Sequence, residues 1–234
     1  MLGIPQKEGK IMTKRLLICL AVLSVLCAFS ALAQENPHDQ LLKAHATATA
    51  VVPVPDVAPA GAKLIYNSFG PSPTDKYNAT DGYYILGNAN ATINPGTSQA
   101  IAINFHATAN EHLTELHLPI AYANLGDGAA NTFDVTIYND VGGLPGAVIS
   151  PAVKSKTNGN VGACCQDVTV KFKAPGVALT AAISYWVVVD TVAGSTTEAV
   201  WNFTYLTAAG NVGGAGWGVA GSYLPAAQVY ATIP

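Results

Sequence analysis

Arginine is almost missing from this chain. Arg15 is the only one in 234 residues, and all charged residues together make up 11% of the sequence. Gripping a phosphate backbone leans on planar guanidinium groups and a surplus of cations. With 11 Lys and Arg against 14 Asp and Glu, the chain has neither, so nucleic acid is excluded as a partner. Cysteine is scarce as well: only Cys19, Cys27, Cys164 and Cys165 occur. No C-x-x-C is among them, so thiol–disulfide catalysis has no motif behind it. After residue 63 no segment keeps a helical period, which excludes a helix bundle. G-x-S-x-G, a recognisable triad order, H-E-x-x-H and EF-hand spacing are all absent, so the common hydrolase and calcium-site patterns are missing.

What is present begins with an address label. Lys14 and Arg15 precede the apolar run "LLICLAVLSVLCAF", and Ala31-Leu32-Ala33 follows. A basic start, a short greasy core and small residues before a cut describe a secretory signal peptide. We place the true start at Met12 and the cleavage after Ala33, so residues 1–33 are the signal peptide. The core is shorter than the roughly 20 residues of a membrane span, and we expect no span in the mature chain. Cleavage removes four cations and Glu8, leaving seven lysines, thirteen acids and a net charge of about −6. It also removes Cys19 and Cys27. The compartment is then oxidising, and Cys164 and Cys165 stand alone and adjacent. Three states compete: a ring closed by a disulfide between neighbours, two free thiols or a soft-metal pair, and a bridge to another molecule. A neighbour ring is tighter than ordinary disulfide geometry prefers, and we favour it as a kink before the next strand.

Residues 34–62, rich in Pro, Ala and Val, read as an extended spacer without a core of its own. From residue 63 to 234 the texture changes to short runs separated by Gly, Asn, Asp and Pro. Phe133, Val135 and Ile137 alternate with Asp134 and Thr136. Val168, Val170 and Phe172 alternate with Thr169, Lys171 and Lys173. Leu116, Leu118, Ile120 and Tyr122 share a face within "HLTELHLPIAY". Period-two patterning with one apolar face predicts half-buried antiparallel strands. "YWVVVD" is apolar almost throughout and predicts a central strand. The fold class expected is all-β: an antiparallel β-sandwich, jelly-roll-like, behind a mostly unstructured N-terminal segment.

The stretches "IYNDVGGLPGAVIS" (137–150), "VALTAAISYWVVVD" (177–190), "AVWNF" (199–203) and "QVYAT" (228–232) occur in that order. In this the chain resembles the choice-of-anchor R type of secreted bacterial domain over roughly residues 63–232. The resemblance implies an extracellular β-sandwich and carries no established catalytic residues. In "NDVGGLPG", Gly142, Gly143 and Gly146 permit positive φ and Pro145 presets its own, a sharp joint between two strands.

Candidate chemistry is confined to a few places. His106, Glu115 and His117 lie in "NFHATANEHLTELHLP", where a hairpin near Ala109 and Asn110 brings His106 toward His112. Imidazole and carboxylate suit a transition metal. His112 has the opposite parity to His117, and the competing reading is polar residues on the wet face of a strand. "GWGVAG" (216–221) fits a dinucleotide motif by letter only, because no following helix or parallel sheet accompanies it. We expect no cofactor. Asp75, Asp81, Asp127, Asp134 and Asp140 sit in or near turns, where they bond their own backbone. Asn78, Asn90 and Asn202 begin N-x-S/T patterns.

The glycine-rich stretch 208–225 carries Trp217 and Tyr223. An exposed ring on a long loop is a stacking platform for a sugar. The competing reading of Trp217 is a cap folded over the sandwich. The functional expectation is a secreted, non-catalytic extracellular or cell-surface interaction module that binds carbohydrate through Trp217 and Tyr223. Its partner would be an extracellular polysaccharide or a cell-surface component. Two alternatives are an extracellular polysaccharide hydrolase or lyase, and a structural surface protein without a small ligand.

Overall fold

The computed structural model describes residues 41–55, 57–123, 131–206, 212–213, 217 and 223–234. All of these belong to the unit Gln40–Pro234. The signal-peptide reading, Asp56, Asp127, and "GWGVAG" apart from Trp217 lie outside the described residues.

Strands account for all the regular structure among the described residues. In chain order they are β1 (Lys43–His45), β2 (Ala50–Val51), β3 (Lys63–Asn67), β4 (Asn78–Leu86), β5 (Ile101–His106), β6 (Glu111–Leu118), β7 (Ile120–Tyr122), β8 (Thr132–Val141), β9 (Leu144–Val148), β10 (Val153–Lys156), β11 (Ala163–Cys164), β12 (Val168–Lys171), β13 (Val177–Leu179), β14 (Ser184–Asp190), β15 (Glu198–Phe203), β16 (Val212–Gly213) and β17 (Gln228–Thr232). A six-stranded sheet runs β10-β8-β14-β5-β16, with β9 also paired to β8. A five-stranded sheet runs β12-β6-β17-β3, with β13 also on β6. A four-stranded sheet runs β1-β4-β15-β7, and β11 pairs with β2. The β2–β11 pair is parallel, while the pairs of the three larger sheets are antiparallel.

The alternation seen in the sequence builds the core. Phe133, Val135 and Ile137 of β8, Ile101, Ile103 and Phe105 of β5, and Tyr185, Val187 and Val189 of β14 bury one face of the six-stranded sheet. Against them pack Leu113, Leu116 and Leu118 of β6, Val168 and Val170 of β12, and Ile85 and Trp201 from the four-stranded sheet. Each such fully buried aliphatic contributes about 1.5–3 kcal/mol. Early and late strands interleave in every sheet, and the result is an antiparallel, jelly-roll-like sandwich. No helix of the described residues is long and apolar enough to cross a membrane.

Three local findings refine the sequence reading. "HLTELHLPIAY" is two strands, because Pro119 has no N–H for a ladder and the chain changes sheet there, from β6 to β7. The β8–β9 hairpin turns through Gly142 (φ 64°) and Gly143 (φ 83°), flanked by the pair Val141 and Leu144. Two positive φ values in a two-residue loop match the right-handed twist of the strands it joins. The segment read as spacer contributes two strands: β1 lies along β4 with Ala44 buried, and β2 lies along β11. Gly162 makes room for it, since a Cβ there would sit 2.3 Å from the Thr47 carbonyl oxygen.

Candidate functional site

The site begins with a break in a ladder. β15 pairs Asn202 with Gly82 and then Phe203 with Asn78, so Ala79, Thr80 and Asp81 are looped out of register. Buried carbonyls freed in this way need donors. The buried Asn202 amide supplies them, donating from Nδ2 to the carbonyls of Asn78 (3.1 Å), Ala79 (3.0 Å) and Asp81 (3.4 Å). Asn78 Oδ1 accepts from the backbone N–H of Thr80 and of Asp81, both at 3.1 Å. The looped segment is therefore held from both sides, and Asp81 is presented outward.

Around Asp81 lies a cleft of about 410 Å³, lined by Lys43, Ala44, His45, Asn78, Asp81, Phe203 and Tyr223. The Asp81 carboxylate contacts His45 Nδ1 at 2.6 Å and accepts from Asn78 Nδ2 and Thr80 Oγ1, each at 2.9 Å. Burial acts to raise its pKa, but those hydrogen bonds and the His45 charge outweigh burial and hold it below the ordinary carboxylate value. Tyr223 is 54% exposed. Its ring stacks on Phe203, with centroids 5.4 Å apart, and the Lys43 ammonium sits 4.9 Å from its centroid. Phe203 is itself in the core, so the platform is anchored from beneath. Burial, then Tyr223, push the Tyr83 phenol up to about 12. Tyr205, also exposed, is shifted upward by burial, then by the Asp75 charge and hydrogen bond, and last by the Asp81 charge.

The two loop aromatics expected to act together do different things. Trp217 packs on the outer face of the six-stranded sheet, against Ala102, Trp186 and Val188, with its ring 6.5 Å from Tyr138. It does not line the cleft that holds Tyr223. Trp186, expected in the core, is fully buried beneath this cover and donates from Nε1 to Asp140 Oδ1 at 2.7 Å.

His106, Glu115 and His117 are not brought together. β5 and β6 belong to different sheets, so no hairpin joins them. His106 ends at the exposed surface beside Ser184 Oγ at 3.0 Å. His117 contacts Glu115 Oε1 through Nε2 at 2.8 Å and Asp167 Oδ2 through Nδ1 at 3.7 Å. The two ring nitrogens point to opposite sides, so the carboxylates flank the imidazole instead of sharing a focus for a cation. Among the described residues no group of three or more His, Cys, Asp or Glu could hold a metal ion. The parity argument separating His112 from His117 fails for a physical reason. β17 pairs Tyr230 with Glu115 and then Ala231 with Leu113, so Thr114 is an extra residue and the alternation resets. Leu113 and Leu116 both enter the core, and His112 faces the Pro175 carbonyl at 3.2 Å.

Cys164 and Cys165 are disulfide-bonded to each other and buried beside Phe69, Tyr77, Ala79 and Ala226. Around the ring, Val52 N–H donates to the Cys164 carbonyl, and Cys165 N–H donates to the Val52 carbonyl at 3.0 Å. The pair therefore fastens the chain at Val52, while Lys43 and His45 are placed by the pairing of β1 with β4. Asn90 and Asn202 are buried, and Asn78 Nδ2 is committed to Asp81, so all three N-x-T asparagines serve the fold. Sequence reasoning had no signal for Lys43, His45 or Phe203. For Asp81 the signal was local: Asn78-Ala79-Thr80-Asp81 is a run of residues that bond their own backbone. No protein-family model matches this chain, and no curated protein matches its sequence.

Proposed function

We propose that this protein is a secreted, non-catalytic interaction module that binds carbohydrate in the Tyr223 cleft. The observation that carries the reading is a half-exposed tyrosine ring, stacked on Phe203, that shares a cleft with a carboxylate and an ammonium. A sugar offers an apolar CH face and a rim of hydroxyls. The Tyr223 ring meets the first; Asp81, His45 and Lys43 meet the second. A lone, hydrogen-bonded carboxylate among the described lining residues favours binding over the two-carboxylate chemistry of glycosidases. Extracellular placement rests on the signal-peptide pattern and on the resemblance to choice-of-anchor R domains.

A glycan array probed with the protein, with Tyr223→Ala and with Trp217→Ala tests this. Truncating an aromatic anchor costs about 2 kcal/mol or more, so affinity for bound glycans falls about 30-fold in Tyr223→Ala. Trp217→Ala retains them. Equal binding by parent and Tyr223→Ala overturns the reading.

A further inference from the structure

We infer a second binding surface, for a carboxylated polysaccharide, in the groove between strands β10 and β12. These are the edge strands of the six- and five-stranded sheets. A groove of about 600 Å³ lies between Pro151–Lys154 on one wall and Lys171–Val177 on the other. Lys154 stands on the first wall, and Lys171 and Lys173 on the second. Lys156 is two residues further along β10. Four of the seven lysines beyond residue 33 are thus gathered at one edge of a chain whose net charge there is about −6.

The charges are arranged to face outward. Lys154 is 3.1 Å from Asp134 and Lys171 is 3.5 Å from Glu115. The lysine side chains are 62% and 74% exposed, while those carboxylates are 19% and 11% exposed. The acids are sunken and the ammonium groups project. Lys156 and Lys173 are exposed, and among the described residues no carboxylate forms an ion pair with them. The floor is apolar, formed by Phe172 and Val177, which are rooted in the core.

Lysine on an edge strand also discourages sheet-to-sheet association. That role requires no groove with cations on both walls. A peptide added as a strand is disfavoured because Pro151 and Pro175, at the two walls, offer no N–H to pair with it. A polymer with an acid on every sugar matches cations spread along a channel, and its CH faces match the floor. This surface shares no lining residue with the Tyr223 cleft and stands or falls independently of it.

The test is binding to polygalacturonate, with neutral dextran and poly-glutamate as comparators. The parent should bind polygalacturonate at about 20 mM salt and lose at least about tenfold in affinity by about 500 mM, since exposed charges are screened within a Debye length. Lys154→Gln/Lys173→Gln should lose at least about tenfold at low salt, while Lys63→Gln, an exposed lysine that lines neither groove nor cleft, should lose less than about twofold. Failure of the parent to bind, dextran competing equally, poly-glutamate binding more tightly, or an unaffected double variant would each overturn the proposal.

Discussion

Replacing Asn202 with alanine should damage the fold and the cleft together. Asn202 is 1% exposed, and its amide serves three carbonyls of the looped segment Asn78–Asp81. The Ala79 carbonyl keeps a second donor, the Gly162 N–H at 2.8 Å, so its loss is partial. The Asp81 contact is long, and its loss is small. The Asn78 carbonyl loses a direct donor at 3.1 Å at a part-buried position. A buried acceptor left short costs about 1–3 kcal/mol, so the sum is about 2–3 kcal/mol. For a domain of this size, that lowers Tm by about 5–10 °C. Asn202→Asp is the sharper probe, because it keeps the shape while setting an acceptor, in place of the donor, against carbonyl oxygens. It should destabilise at least as much as alanine. Urea unfolding followed by the fluorescence of buried Trp186 and Trp201 measures both. A loss under about 0.5 kcal/mol in both variants would refute the claim that this side chain substitutes for the broken ladder.

Two further predictions concern other parts of the molecule. Burial lowers the His117 pKa, but Asp167 and Glu115 outweigh it, and the folded value is raised. A raised folded pKa means the stabilisation is fully present below the unfolded value of about 6.5 and is lost as pH rises through the folded one. The stability gap between parent and His117→Gln should therefore narrow as pH rises from about 6, and a gap constant from about pH 5.5 to 9 contradicts this. Gly162→Ala places a Cβ 2.3 Å from the Thr47 oxygen at φ 93°. It should cost about 1–3 kcal/mol and speed hydrogen exchange at residues 47–52; unchanged exchange there would show that Gly162 is not what seats the segment.

The body of the fold was legible because its strands obey period two. Phe133, Val135 and Ile137 are buried as their alternation requires. The places where that reading slipped are places where period two is broken. Pro119 moves the chain between sheets, and Thr114 inserts a residue that resets parity. Pro119 was a readable mark, since proline does not sit inside a central strand, whereas Thr114 leaves none. The adjacent cysteines were read as a ring, ahead of free thiols, a soft-metal pair or a bridge to another molecule, in a compartment that favours disulfides, and they are bonded to each other. The cleft was only partly legible. Tyr223 stood out as an aromatic in a glycine-rich stretch, but its partners come from residues 43–45 and 78–81. The first group looked like spacer, because three residues of strand are too few to show a pattern. For Trp217 the flanking glycines left both a platform and a cap open, because the sequence does not show the apolar patch of Ala102, Trp186 and Val188 that it covers.

The most direct test of the central claim is to map a bound neutral oligosaccharide on the protein by NMR. The account predicts shift changes concentrated at Lys43, His45, Asp81 and Tyr223, saturating together, and absent from Trp217. Saturable shifts that leave the Tyr223 ring unmoved, or that centre on Trp217, would contradict it.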